Sequence, residues 1–131
     1  MRPAIAAVMV WAGLLGLLYL VLAAWVVRHR YRAKTGIGDG GDPALARAVR
    51  VHGNFAEYVP ITLVLLLLLA MAGWGSLHLH ILGGLLFVGR VAHALGLARS
   101  EGPSVGRGAG MLLTWGVLGV ASAMVLLTAL G

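Results

Sequence analysis

Four runs of apolar residues, each long enough to cross a lipid bilayer, leave this chain few ways to fold. A hydrocarbon core of about 30 Å takes about 20 residues of helix to span. Residues 4–27, 44–72, 77–97 and 111–130 all reach that length. Inside hydrocarbon every backbone amide must find its partner within the chain, so such segments become helices. The expected class is an all-α integral membrane protein, a four-transmembrane-helix bundle that takes residues 1–131 as one domain. Composition agrees, since 60% hydrophobic and 11% charged residues are far from the balance of a soluble domain. There is no cysteine, which excludes a disulfide, a thiolate nucleophile and a Cys-ligated metal.

The net charge of +6 would suggest nucleic acid in a soluble protein. Here the cations gather at helix ends. Membrane lipids with anionic headgroups, or an anionic small molecule, are the expected partners, and nucleic acid is not. Every Lys and Arg except Arg2 lies on the side of the two charged loops. Those loops are therefore expected to be cytoplasmic, with both termini on the non-cytoplasmic side. The first apolar run is too long for the core of a signal peptide and reads as an uncleaved span.

At the end of that span, Trp25 and Tyr31 suit an interfacial belt, and Gly13 and Gly16 permit close helix approach. Arg28-His-Arg30-Tyr-Arg32-Ala-Lys34 forms a basic collar. It sets topology and touches lipid, or helps bind an anionic ligand. The loop over 35–43 is rich in glycine, but no strand precedes it and its spacing matches no nucleotide fingerprint. Asp42 suits the N-cap of the next helix and Pro43 its first position.

The second span opens with Arg47-Ala-Val-Arg50-Val-His52-Gly-Asn54-Phe-Ala-Glu57-Tyr58-Val-Pro60. At 100° per residue, Arg47, Arg50, Asn54 and Glu57 fall within an arc of roughly 80°, while His52 points nearly the other way. Ionisable side chains at membrane depth are costly and normally face the protein interior in pairs. Arg50, Asn54 and Glu57 are thus expected to form a buried polar constellation, and Pro60 to kink the helix. In the third span, Arg90 lies deep within apolar sequence, with His93 on the same face. Glu57 is the carboxylate at comparable depth, so Arg90 and Glu57 are expected to approach each other. Gly89 and Gly96 mark a close-packed seam. His78 and His80, two residues apart, do not share a helix face, so no metal site is expected there. Residues 98–109 read as a polar loop. In the fourth span Gly116, Gly119 and Ala123 suggest helix packing, and nothing offers chemistry.

Arg50-x3-Asn54-x2-Glu57-Tyr58-x-Pro60, at the start of the second of four short spans, resembles the MAPEG family, the membrane-associated proteins in eicosanoid and glutathione metabolism. Arg47, Arg50, His52, Asn54, Glu57 and Pro60 match the second-helix pattern of its prostaglandin E synthase branch in register. Asn54, Glu57, Tyr58 and Pro60 match the leukotriene-conjugating branch, and Arg90-Val-Ala-His93 matches the prostaglandin branch again. The resemblance covers the whole four-helix plan and is specific over 47–97. It implies a homotrimer in a bacterial inner membrane, with three ligand sites between neighbouring subunits near the cytoplasmic face.

In the family's enzymes the matching Arg, Asn and Glu hold glutathione in a bent shape. The resemblance therefore implies glutathione as cosubstrate, bound by Arg30, Arg47, Arg50, Asn54, Glu57, Tyr58, Arg90 and His93. It also implies an arginine near the end of the third helix that turns the thiol into a thiolate. Arg99 is favoured for that part, with Arg107 the alternative. Two positions depart from the pattern: Leu97 stands where the prostaglandin branch carries a tyrosine, and Gly53 replaces a further arginine. Three functions follow as expectations. The first is a glutathione-dependent transferase or peroxidase acting on hydrophobic electrophiles from the lipid. The second is a non-catalytic lipid-binding member like the lipoxygenase-activating protein. The third is a membrane protein of another kind, using the polar seam for structure or transport.

Overall fold

A computed structural model describes residues 2–99 and 104–131. Four helices make up nearly all of it: α1 Pro3–Ala33, α2 Pro43–Met71, α3 Ser76–Arg99 and α4 Val105–Leu130. Each is long and apolar enough to cross a membrane. The basic collar is helical, so α1 runs six residues beyond 27. The fourth helix begins at Val105 rather than 111. Ser104 explains that earlier start, because its Oγ accepts from Arg107 N at 3.2 Å and caps the helix. Residues 100–103 of the expected polar loop, Glu101 among them, lie outside the described residues.

The joints are built by local chemistry. Lys34 ends α1 in the left-handed conformation, φ 50, and Thr35 N closes back on Arg30 O at 3.1 Å. Positive φ at Gly38, Gly40 and Gly41 explains the glycine-rich loop, whose backbone turns where side chains are disfavoured. Arg30 ties that loop down by donating from Nη1 to the carbonyls of Gly36 at 3.1 Å and Gly38 at 3.0 Å. Asp42 caps α2, its Oδ1 accepting from Ala44 N at 2.8 Å and Leu45 N at 3.1 Å, with Pro43 at the first position. The helix continues through Pro60.

Helices α2 and α3 form the centre. Both touch α1 on one side and α4 on the other, and α1 and α4 do not meet. The core joins Leu15 and Leu22 of α1, Val51, Phe55 and Leu66 of α2, Leu79 and Leu86 of α3, and Val117 and Ala121 of α4. The α3–α4 contact is the closest. A Cβ on Gly96 would stand 2.5 Å from Arg107 N, and one on Gly89 3.1 Å from Gly110 O. The seam expected at Gly89 and Gly96 is therefore formed, and Gly106 and Gly110 supply its other side. Gly13, Gly16, Gly116 and Gly119 do not pack within the chain: a Cβ at any of them meets nothing within 4 Å. These faces of α1 and α4 point outward.

Candidate functional site at the charged end of the bundle

The end of α1, the first half of α2, the second half of α3 and the start of α4 bring the expected residues to one end of the bundle. They fall into an inner and an outer set. The inner set centres on Arg90, which is fully buried. Its Nη2 donates to Asn54 Oδ1 at 2.7 Å and its Nη1 to Thr114 Oγ1 at 3.5 Å, with Met111 Sδ at 3.9 Å. The guanidinium carbon lies 5.7 Å from the centre of the Phe55 ring. Thr114 can accept because its own hydroxyl proton goes to Gly110 O at 2.8 Å. One helical turn beyond Arg90, buried His93 donates from Nδ1 to Arg107 O at 3.2 Å. In the neutral ring that bond makes Nε2 the acceptor. Two buried atoms of this set, Arg90 Nε and His93 Nε2, have no hydrogen-bond partner among the described residues.

The outer set lies on the opposite edge of the α2 polar face. Arg50 Nη1 and Glu57 Oε1 pair at 3.2 Å, with side chains 60% and 48% exposed. Beside them an open cleft of about 450 Å3 is lined by Arg30, Asp39, Ala46, Val49, Arg50 and Gly53. That volume is in the range of small-ligand clefts, ~300–1,000 Å3. A Cβ on Gly53 would meet nothing within 4 Å, so the absent arginine leaves room there. The donor set suits a zwitterionic peptide with two carboxylates. Arg30 and Arg50 are cations for the carboxylates, and Glu57 is an acceptor for an ammonium. Among the described residues no three His, Asp or Glu side chains converge as metal ligands do.

Two expectations are corrected. Arg50, Asn54 and Glu57 do not form one buried constellation: Asn54 turns into the bundle, while Arg50 and Glu57 stay on its outer face. An arc of roughly 80° straddles the boundary between the two environments. Nor does Arg90 form an ion pair with Glu57. Glu57 is taken by Arg50, and the neutral amide of Asn54 serves Arg90 instead. Arg47 and Tyr58 are half-buried on α2. Arg99 is exposed at the last position of α3, and Arg107 is half-buried in the first turn of α4.

Sequence reasoning missed Thr114, Met111 and Phe55 as partners of Arg90. A threonine near the charged end of the apolar run of α4 was the available signal. It also missed Tyr19 of α1, which stacks on His52 with centres 4.6 Å apart and on Phe55 at 5.4 Å. Beside that stack, an apolar cleft of about 250 Å3 between α1 and α2 is lined by Leu15, Tyr19, Phe55, Val59, Pro60 and Leu63.

The MAPEG family model matches residues 8–127. Inner membrane protein YecN of Escherichia coli strain K12 is 41% identical over 86 residues, 66% of this chain and 66% of that protein. The YecN protein of Escherichia coli O6:H1 strain CFT073 matches over the same shares. The aligned part thus spans just under two thirds of the curated relatives' length. With the family model covering all four helices, the chain belongs to the MAPEG family.

Proposed function

We propose that this protein is a homotrimeric, glutathione-dependent transferase or peroxidase of a bacterial inner membrane, acting on hydrophobic electrophiles that enter from the lipid. The name of the YecN relatives supports the inner membrane. The charge asymmetry supports both termini on the non-cytoplasmic side. The observation that carries the reading is the Arg50–Glu57 pair on an outward face of a membrane helix, beside a cleft that also holds Arg30. Ion pairs in spanning segments normally face protein or water. A neighbouring subunit closing over this face would turn the open cleft into a site between subunits.

Glutathione supplies a thiolate that forms a carbon–sulfur bond to the electrophile, whose leaving group departs with the bonding electrons. Arg30 and Arg50 hold its carboxylates and Glu57 its ammonium. Asn54, braced by Arg90, lies behind the site within the bundle. A thiol with a reference pKa near 8.5 needs a cation to ionise at neutral pH. For this part we place Arg107 ahead of Arg99. The backbone of Arg107 is bonded to His93, whereas Arg99 is six residues from His93 and about 240° round the helix. The apolar cleft under Tyr19 would take the hydrophobic substrate. The same cleft, with Leu97 buried where the prostaglandin branch has a tyrosine, favours a second reading in which the protein holds a lipid without reacting.

The test is conjugation of glutathione to chlorodinitrobenzene by the detergent-purified protein. Removing a cation that stabilises developing or ionised charge typically lowers turnover by ~100-fold or more. Arg107→Ala is expected to lower kcat by about that factor and glutathione affinity by less than about threefold, while Arg99→Ala changes kcat little. No glutathione-dependent turnover by the wild type, together with saturable binding of a fatty acid in the absence of glutathione, would replace this reading with the non-catalytic one.

A further inference from the structure

We propose that the outward cleft at the cytoplasmic end of α1 is a binding site for the headgroup of an anionic phospholipid. It shares Arg30 with the glutathione cleft and is otherwise lined by residues of its own, Lys34 and Tyr31 among them. The cleft, about 460 Å3, is lined by Val27, Arg30, Tyr31, Lys34, Thr35 and Gly36. No acidic residue lines it.

Helix geometry sorts the collar into two faces. At 100° per residue, Arg30, Lys34, Val27 and Tyr31 share an arc of about 100°, while Arg28 and Arg32 lie on the opposite side. The collar is therefore not a uniform ring of charge. Beneath Lys34 the same face continues down the helix as Val27 and Leu20, both exposed. Two cations above an exposed apolar strip match a phospholipid, with a phosphate at the top and an acyl chain below. A free phosphate would leave the strip without a partner.

The depth also fits. With 31 residues, α1 is about 46 Å long, against a hydrocarbon core of about 30 Å. Its last turns therefore stand in the headgroup layer, where Tyr31, 81% exposed, suits the interfacial belt. The Arg30 guanidinium is held in place before any lipid arrives. Arg30 Nη1 is fixed by the carbonyls of Gly36 and Gly38, which leaves Nη2 and Nε to donate to a phosphate. At Lys34 the backbone is set by its left-handed conformation and by its N–H to Tyr31 O at 3.4 Å, and the side chain is exposed.

Native mass spectrometry of the detergent-purified protein, titrated with phosphatidylglycerol or phosphatidylcholine, tests the site. Each juxtamembrane cation contributes roughly fivefold to attraction of an anionic lipid. Phosphatidylglycerol is expected to be retained about tenfold or more above phosphatidylcholine. Lys34→Gln should weaken it about fivefold, and Arg30→Gln/Lys34→Gln at least about tenfold. Arg28→Gln/Arg32→Gln removes the same charge from the other face and should change it less than about threefold. Excess inorganic phosphate should not displace the lipid. Equal losses from the two double variants would reduce the effect to diffuse attraction by the collar and overturn the site. Displacement by phosphate, or equal retention of phosphatidylcholine, would overturn it as well.

Discussion

Replacing Arg90 with methionine will destabilise the protein by about 1–3 kcal/mol or somewhat more, although the new side chain is apolar and of similar length. In most membrane helices, removal of a buried charge would relieve a burden. Here Arg90 is the hub of three helices, joining Asn54 of α2 to Thr114 and Met111 of α4 across a fully buried position on α3. Methionine fills the space but leaves Asn54 Oδ1 with no donor inside an apolar bundle. An unpaired buried polar group costs about 1–3 kcal/mol, and lost packing against Phe55 adds to that. The double variant Arg90→Met/Asn54→Leu removes the orphaned amide and should regain at least half of the loss. Thermal unfolding in detergent measures both. A double variant no more stable than Arg90→Met alone would show that the Arg90–Asn54 bond is not what holds the centre together.

Gly110→Leu should be at least as damaging, through shape rather than charge. A Cβ at this position would lie 2.5 Å from Gly89 O and 2.6 Å from His93 N, both backbone atoms of the facing helix. Neither can move without displacing α3, and overpacking of this kind costs about 1–3 kcal/mol or more. The displacement would also break the His93–Arg107 bond and carry Thr114 away from Arg90. The expected outcome is loss of a monodisperse peak in size-exclusion chromatography, or a stability loss above about 3 kcal/mol. Gly108→Ala, two residues away on the exposed side of the same helix, meets nothing within 4 Å. It should be neutral or stabilise by up to about 1 kcal/mol through helix propensity. Equal behaviour of the two variants would deny that the α3–α4 seam is set by backbone contact.

The four helices were legible because the bilayer sets their length. So were the caps at Asp42 and Pro43, which depend on chemistry within one turn. The ends of α1 and α4 were harder, because polar residues such as Arg28 and Arg107 remain good helix formers once they reach the headgroup layer. Periodicity put Arg50, Asn54 and Glu57 on one face but could not say where that face crosses from the bundle interior to its outside. That boundary depends on how α3 and α4 pack against α2. For the same reason charge complementarity suggested Glu57 for Arg90, while packing delivered Asn54. Glycines behaved alike: Gly89 and Gly96 were correctly read as a seam, yet Gly116 and Gly119, also read as packing residues within an apolar span, face outward. Small residues permit close approach, but the neighbouring helix decides where it happens.

The central claim is that the outer α2 face is a glutathione site. Isothermal calorimetry of the detergent-purified protein with glutathione, wild type against Arg50→Ala, tests it most directly, with the oligomer mass of each checked beforehand. The account predicts saturable binding by the wild type, at least about tenfold weaker in the variant because a charge-assisted carboxylate contact is lost, and an unchanged oligomer mass. Absence of binding up to millimolar glutathione, or equal affinity in both proteins, would contradict it.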